Sequence, residues 1–189
     1  MEAALISIQP KWCELIASGK KTVEVRKTRP KLNSPFKCYI YETKDKQFEH
    51  IGVVGYRTDG TRYDFLHGTG KVIGEFVCKK IEELYQCNSG WVQAYACLSR
   101  DKFFDYLGIP RKTHLGYDKK AYGWLITDLV IYDKPKELSE FRRPCDGNCH
   151  KCKDAIWHTP RDFSSDSKIV GCGRKVTAPQ SWCYVEALE

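Results

Sequence analysis

The chain has 189 residues, 42% hydrophobic and 13% aromatic, with 31 Lys and Arg against 24 Asp and Glu and a net charge of +7. That apolar content suffices for a buried core, which excludes a disordered chain and fits one domain with an elaboration. The moderate positive charge favours polyanionic partners, and no apolar stretch approaches the length of a membrane span.

The amino terminus, Met1-Glu2-Ala3-Ala4-Leu5, has no basic region followed by a long apolar run, so no secretory signal is expected and the expected location is cytoplasmic. Of the ten cysteines, Cys13, Cys38, Cys78, Cys87 and Cys97 are spread singly through apolar patterns and read as reduced core thiols.

In chain order, residues 5–8 read as a strand. Pro10 opens a helix where its missing N–H is harmless, the apolar spacing of residues 12–18 continues it, and Gly19 stops it. Residues 22–26 then alternate, with Thr22, Glu24 and Arg26 on one face and Val23 and Val25 on the other, directed to a core. With Lys21 in the preceding turn, this row offers two cations and a carboxylate within a few ångströms. Lys21 and Arg26 suit a phosphate or a polarised carbonyl, while Glu24 orients Arg26 or moves a proton. An exposed strand face with a solvated ion pair would carry the same letters. Lys20 precedes the row, and Lys27, Arg29 and Lys31 follow it as a basic cluster suited to flanking phosphates.

Residues 36–42 alternate as a strand. Residues 43–70 are polar and glycine-rich, with a short strand at 51–56 and a turn at 57–62 that either closes over a cleft or only connects. Residues 72–78 begin another strand, whose Glu75 faces solvent or the cleft. Residues 99–107 form a helix with Ser99 as N-cap, Asp101 in its first turn, Phe103, Phe104 and Leu107 on its apolar face, and Gly108 at its end. A basic loop at 111–120 feeds Tyr122-Gly123-Trp124, where cations beside aromatics suit a single-stranded base, although a strand aromatic is commonly core. Residues 125–132 continue that strand, and 134–141 make an exit turn.

Cys145, Cys149 and Cys152, followed by Cys172 between two glycines, can set four thiolates around zinc; His150 or His158 can replace one of them. Such a Cys₄ site would be closed and structural. Residues 180–185 alternate as a terminal strand. The expected organisation is 1–141 as the main domain, 142–175 as a cysteine-rich zinc-binding insertion, and 176–189 as a terminal strand rejoining the main domain.

Gly19-x-Lys21-x-x-Glu24-x-Arg26 resembles the GxKxxExR signature of the ASCH domains, relatives of the PUA fold. The lead-in Leu5-Ile6-Ser7-Ile8-Gln9-Pro10-Lys11-Trp12 and the later Ala121-Tyr122-Gly123-Trp124-Leu125-Ile126 are similar to that family's opening and late strands. The resemblance spans about residues 4–135. It implies an α+β fold, a PUA-like β-barrel flanked by short helices, here with a small zinc-stabilised loop region near the C-terminus. It also implies a cleft where the signature residues converge. Such proteins are generally thought to bind RNA, and a few act as ribonucleases or as hydrolases of acetylated cytidine. In the amidohydrolases the working residues include the motif Lys and a Thr at the position of Glu24; Lys21 carries over and the Thr nucleophile does not.

Three functional readings follow. The chain binds RNA or a modified nucleotide in a cleft lined by Lys21, Glu24 and Arg26, with Lys20, Lys27, Arg29, Lys31, Tyr122 and Trp124 as further nucleic-acid contacts. Alternatively the same three residues are catalytic, in a ribonuclease or nucleoside amidohydrolase. In the third, the zinc-containing tail is a protein-interaction adaptor.

Overall fold

The computed structural model describes residues 2–47, 51–57, 59–109, 119–144 and 176–188. β1 (Glu2–Ile8) is buried on both faces beyond its first residue, because Ala4, Ile6 and Ile8 enter one core while Ala3 and Leu5 enter another. α1 (Pro10–Ala17) starts on its proline and buries Cys13, Ile16 and Ala17. It ends at Gly19, whose φ of +78° is readily reached by glycine and lets the chain turn back into β2 (Val23–Arg26).

β3 (Phe36–Glu42), β6 (Val72–Leu84) and β7 (Ala121–Lys136) are the long central strands, and β8 (Trp182–Glu186) is the last. They form a six-stranded sheet in the order β2-β7-β6-β3-β1-β8. Its neighbours are antiparallel except for the parallel pair β1 and β3. β4 (Gly52–Tyr56) and β5 (Arg62–Leu66) make a separate two-stranded hairpin. Arg57 pins it by donating from Nε to the Ala17 carbonyl at 3.2 Å and from Nη1 to the Leu129 carbonyl at 2.7 Å.

The expected barrel is a curled sheet whose hydrogen-bond ladder stays open between β2 and β8. Side chains bridge that seam. Trp182 Nε1 donates to Thr28 Oγ1 at 2.9 Å, the Lys31 N–H donates to the Tyr184 hydroxyl at 2.8 Å, and Arg26 Nη2 donates to the Ser7 carbonyl on β1.

Inside the curl, Ile6, Ile8, Cys38, Ile40, Phe76, Cys78 and Trp124 pack into the main core. The outer face of β1 and β3 is covered by Phe141, Val176 and Val185 with Leu188. A third cluster joins Val23 and Val25 to α2 (Ser89–Ala96) and α3 (Arg100–Leu107) through Val92, Ala96, Phe103 and Leu107. β2 is thus covered on its valine face, and its Glu24 and Arg26 face inward.

α2 was not expected from the sequence. α3 was, and Ser99 caps it by accepting from the Lys102 N–H, with Gly108 at φ +68° closing it. Cys13, Cys38 and Cys78 are buried free thiols as expected, whereas Cys87 is exposed and Cys97 only partly buried. Cys87 sits exposed in a single 3-10 turn (Gln86–Asn88) leading into α2. The expected zinc ligands Cys145, Cys149, Cys152 and Cys172, with His150 and His158, lie outside the described residues. No helix among the described residues is long and apolar enough to cross a membrane.

Candidate functional site

The turn after α1 is fixed by backbone bonds. The Lys21 N–H donates to the Leu15 carbonyl at 2.8 Å and the Thr22 N–H to the Tyr95 carbonyl of α2 at 2.9 Å. This drives the Lys21 side chain inward, where it is 5% exposed. Its Nζ donates to the carbonyls of Val23 at 2.8 Å and Ala96 at 2.9 Å and lies 3.2 Å from Glu24 Oε2. Glu24 Oε1 lies 3.1 Å from Arg26 Nη2. The three signature side chains therefore form one continuous cation–carboxylate–cation row. Arg26 Nε is buried and has no hydrogen-bond partner among the described residues.

That row floors a cleft of about 430 Å³. The walls come from distant parts of the chain: Gln9 and Trp12 of the α1 entry, Thr43 after β3, Leu98 and Lys102 at the start of α3, Tyr106 of α3, and Gln180 before β8. Gln180 is held at the cleft because Ser7 engages both of its neighbours, with its Oγ donating to the Pro179 carbonyl at 2.5 Å and its N–H to the Ser181 carbonyl at 2.9 Å. Both aromatic walls carry a cation, since Lys21 Nζ lies 5.3 Å from the Trp12 ring centroid and Lys27 Nζ 5.1 Å from that of Tyr106. Burial raises the Tyr106 hydroxyl above its usual range, so that group stays a neutral phenol donating to the Val25 carbonyl.

Lys21, Glu24 and Arg26 are brought together, and Lys27 flanks the cleft through Tyr106. Lys20, Arg29 and Lys31 are exposed and do not line it. Tyr122 is half-buried outside the cleft, with Arg29 at 5.6 Å and Lys120 at 5.7 Å from its ring centroid. Trp124 is fully buried, edge-on to Phe36 with centroids 5.8 Å apart, and offers no face to a base. β7 is an interior strand, so the inward position opposite Glu24 belongs to the core. Glu75 is engaged elsewhere, with Lys37 at 2.9 Å and the Tyr132 hydroxyl at 2.6 Å. None of the described residues of the turn at 57–62 lines the cleft.

The aromatic walls were the residues missed. In the sequence Trp12 reads as part of a helix face, and Tyr106, three residues after Phe103, has the spacing to follow that core face round toward β2.

A curled mixed sheet that presents a basic cleft beneath its first helix defines a PUA-like α+β domain. The chain belongs to the ASCH domain family, whose sequence model matches residues 6–136. Among solved structures, the chain is similar to the ASCH protein of Zymomonas mobilis, with 25% identity over 73% of this chain and 77% of that one and a TM-score of 0.49. A single-substitution mutant of that protein matches at 24% identity, 73% and 78% coverage and a TM-score of 0.50, a likeness that bears on the fold alone. No functionally curated protein matches the chain.

Proposed function

We propose that the cleft binds RNA or a nucleotide, with Arg26 and the flanking lysines serving phosphate and Trp12 and Tyr106 serving a base. The observation that carries this is the convergence of Lys21, Glu24 and Arg26 on one aromatic-walled hollow. Family membership supports it, since ASCH domains are generally thought to bind RNA. Binding is favoured over hydrolysis because the Lys21 ammonium already has three acceptors, so it would have to surrender one to stabilise an oxyanion. Glu24 is also the sole carboxylate among the described residues lining the cleft, and both its oxygens face cations.

Titration of short single-stranded RNAs and of nucleotides into wild type and Arg26→Gln tests this reading. Saturable binding weakened by the substitution is expected, and wild type that binds none of these ligands overturns it. Release of acetate from acetylated cytidine, or of cleaved RNA, would move the assignment to a hydrolase.

Zinc at Cys145, Cys149, Cys152 and Cys172 is proposed from spacing alone. One zinc per chain, reduced by Cys149→Ser, is the expected metal content. If the tail were an adaptor, partner capture would depend on Cys149 and ignore Lys21.

A further inference from the structure

The charge of the cleft specifies more than an anion. Its lining holds three cations, Lys21, Arg26 and Lys102, against the single carboxylate of Glu24, a surplus of two positive charges among the described residues. The floor and the rim divide the work. Lys21 is occupied by the Val23 and Ala96 carbonyls and Glu24, so it holds the floor together. Arg26 spends Nη2 on the Ser7 carbonyl and Glu24, while its buried Nε has no acceptor among the described residues. Lys102 stands exposed on the first turn of α3 at the cleft edge.

Candidate ligands differ in charge where the cleft is selective. A nucleoside is neutral, an internal phosphodiester carries one negative charge, and a phosphomonoester carries about −1.5 to −2 near neutral pH because its second pKa lies near 6. A hollow of about 430 Å³ falls in the lower part of the range for small-molecule pockets, about 300–1,000 Å³, and suits one nucleotide unit rather than a length of strand. We propose that the cleft selects a nucleotide unit bearing a terminal phosphomonoester, with the phosphate at Arg26 and Lys102 and the base against Trp12 and Tyr106. This rests on the nucleotide-binding reading above and narrows it. The phosphomonoester belongs either to a free mononucleotide or to the phosphorylated end of an RNA.

The test is calorimetric titration of the full chain with each nucleoside, its 5′- and 3′-monophosphates, and the dinucleoside monophosphate of the same base. Short single-stranded RNAs with and without a 5′ or 3′ terminal phosphate complete the set. The monophosphate should bind at least about ten-fold tighter than the nucleoside and the dinucleoside monophosphate, as a charge-assisted contact implies. Its advantage should shrink as pH falls below about 6, where the second phosphate charge is lost and the diester is unchanged. Arg26→Gln should remove the advantage. Lys102→Gln, at an exposed position that folding tolerates, should reduce it several-fold with the unfolding curve unmoved.

RNAs that need a terminal phosphate to match the mononucleotide assign the site to RNA ends. RNAs that bind far more weakly whatever their ends assign it to free mononucleotides; both outcomes support the proposal. Equal affinity for the monophosphate and the dinucleoside monophosphate, or RNA that binds as tightly as the mononucleotide whether or not its ends are phosphorylated, overturns it and leaves the nucleotide-binding reading standing. Absence of binding by every ligand in the set overturns both.

Discussion

Lys21 and Ala96, 75 residues apart, are joined by a 2.9 Å hydrogen bond from the ammonium to the carbonyl at the last residue of α2. The Thr22 N–H reaches the preceding carbonyl, that of Tyr95, so the signature turn and the end of this helix are sewn together. Lys21 is therefore a fastener as well as a charge. Lys21→Met would leave Glu24 with Arg26 alone and the Ala96 and Val23 carbonyls without their cation. Breaking a buried pair from one side costs about 3–5 kcal/mol, which should appear as an earlier urea midpoint at unchanged slope. Lys20→Met, at the exposed neighbour, should stay within about 0.5 kcal/mol of wild type. Equal midpoints for the two variants would show that Lys21 fastens nothing.

Trp12 and Trp124 should separate by role. Trp12 lines the hollow and is half-buried, so Trp12→Leu keeps apolar bulk while removing a stacking face. Ligand affinity should fall by about 1–3 kcal/mol, the worth of one base–aromatic stack, with folding little changed. Trp124 lies in the core between Phe36 and Trp182, at centroid distances of 5.8 and 5.9 Å, and Trp124→Ala should cost about 3–5 kcal/mol of stability. Affinity and melting curves of both variants check this. A Trp124 variant that melts normally but fails to bind would return that residue to the site.

How far the sequence reaches depends on where the information lies. The alternation Val23, Glu24, Val25, Arg26 and the Ser99 and Gly108 caps are local signals, and the structure follows them. α2 carries none: Asn88 makes no side-chain cap, Gly90 lies inside the helix, and its end is held by Thr22 and Lys21 from another part of the chain. The cleft walls have the same character. Thr43 and Gln180 reach the hollow only because β3 and β8 flank β1, a pairing between segments far apart in sequence. The placement of Trp124 in the core has a related cause, since basic neighbours in sequence say nothing about the side of an interior strand on which a ring lies.

Thiol chemistry offers a check on packing. Burial holds the Cys13 and Cys38 thiols well above their usual range and pushes Cys78 up to about 12, so these groups stay protonated and shielded. Cys87 is exposed. Native-state alkylation mapped by mass spectrometry should label Cys87 first among the described cysteines, with Cys13, Cys38 and Cys78 reacting only after denaturation. Early labelling of Cys38 would place the main core somewhere other than described.

Glu42 and His67 make the most deeply buried contact between ionisable side chains among the described residues, with Oε1 and Nδ1 2.6 Å apart and both side chains almost wholly buried. Burial raises the Glu42 carboxyl above its usual range, and the opposing bonds from His67 and the Gly68 N–H, the latter at 2.9 Å, do not fully offset it. The folded state thus holds the Glu42 proton more tightly than the unfolded chain does. Between the raised folded value and the unfolded value of about 4.3, the folded state is the one with more protons bound, so this group's contribution to stability falls as pH rises. Below the unfolded value the contribution is complete, and above the folded value it is lost. Glu42→Gln keeps the shape without the titration. Urea unfolding across pH should therefore show the stability of wild type rising relative to the Gln variant as pH falls from neutral toward about 4.3, then holding level. A difference that moves the other way would mean that His67 and Gly68, rather than burial, govern the carboxyl.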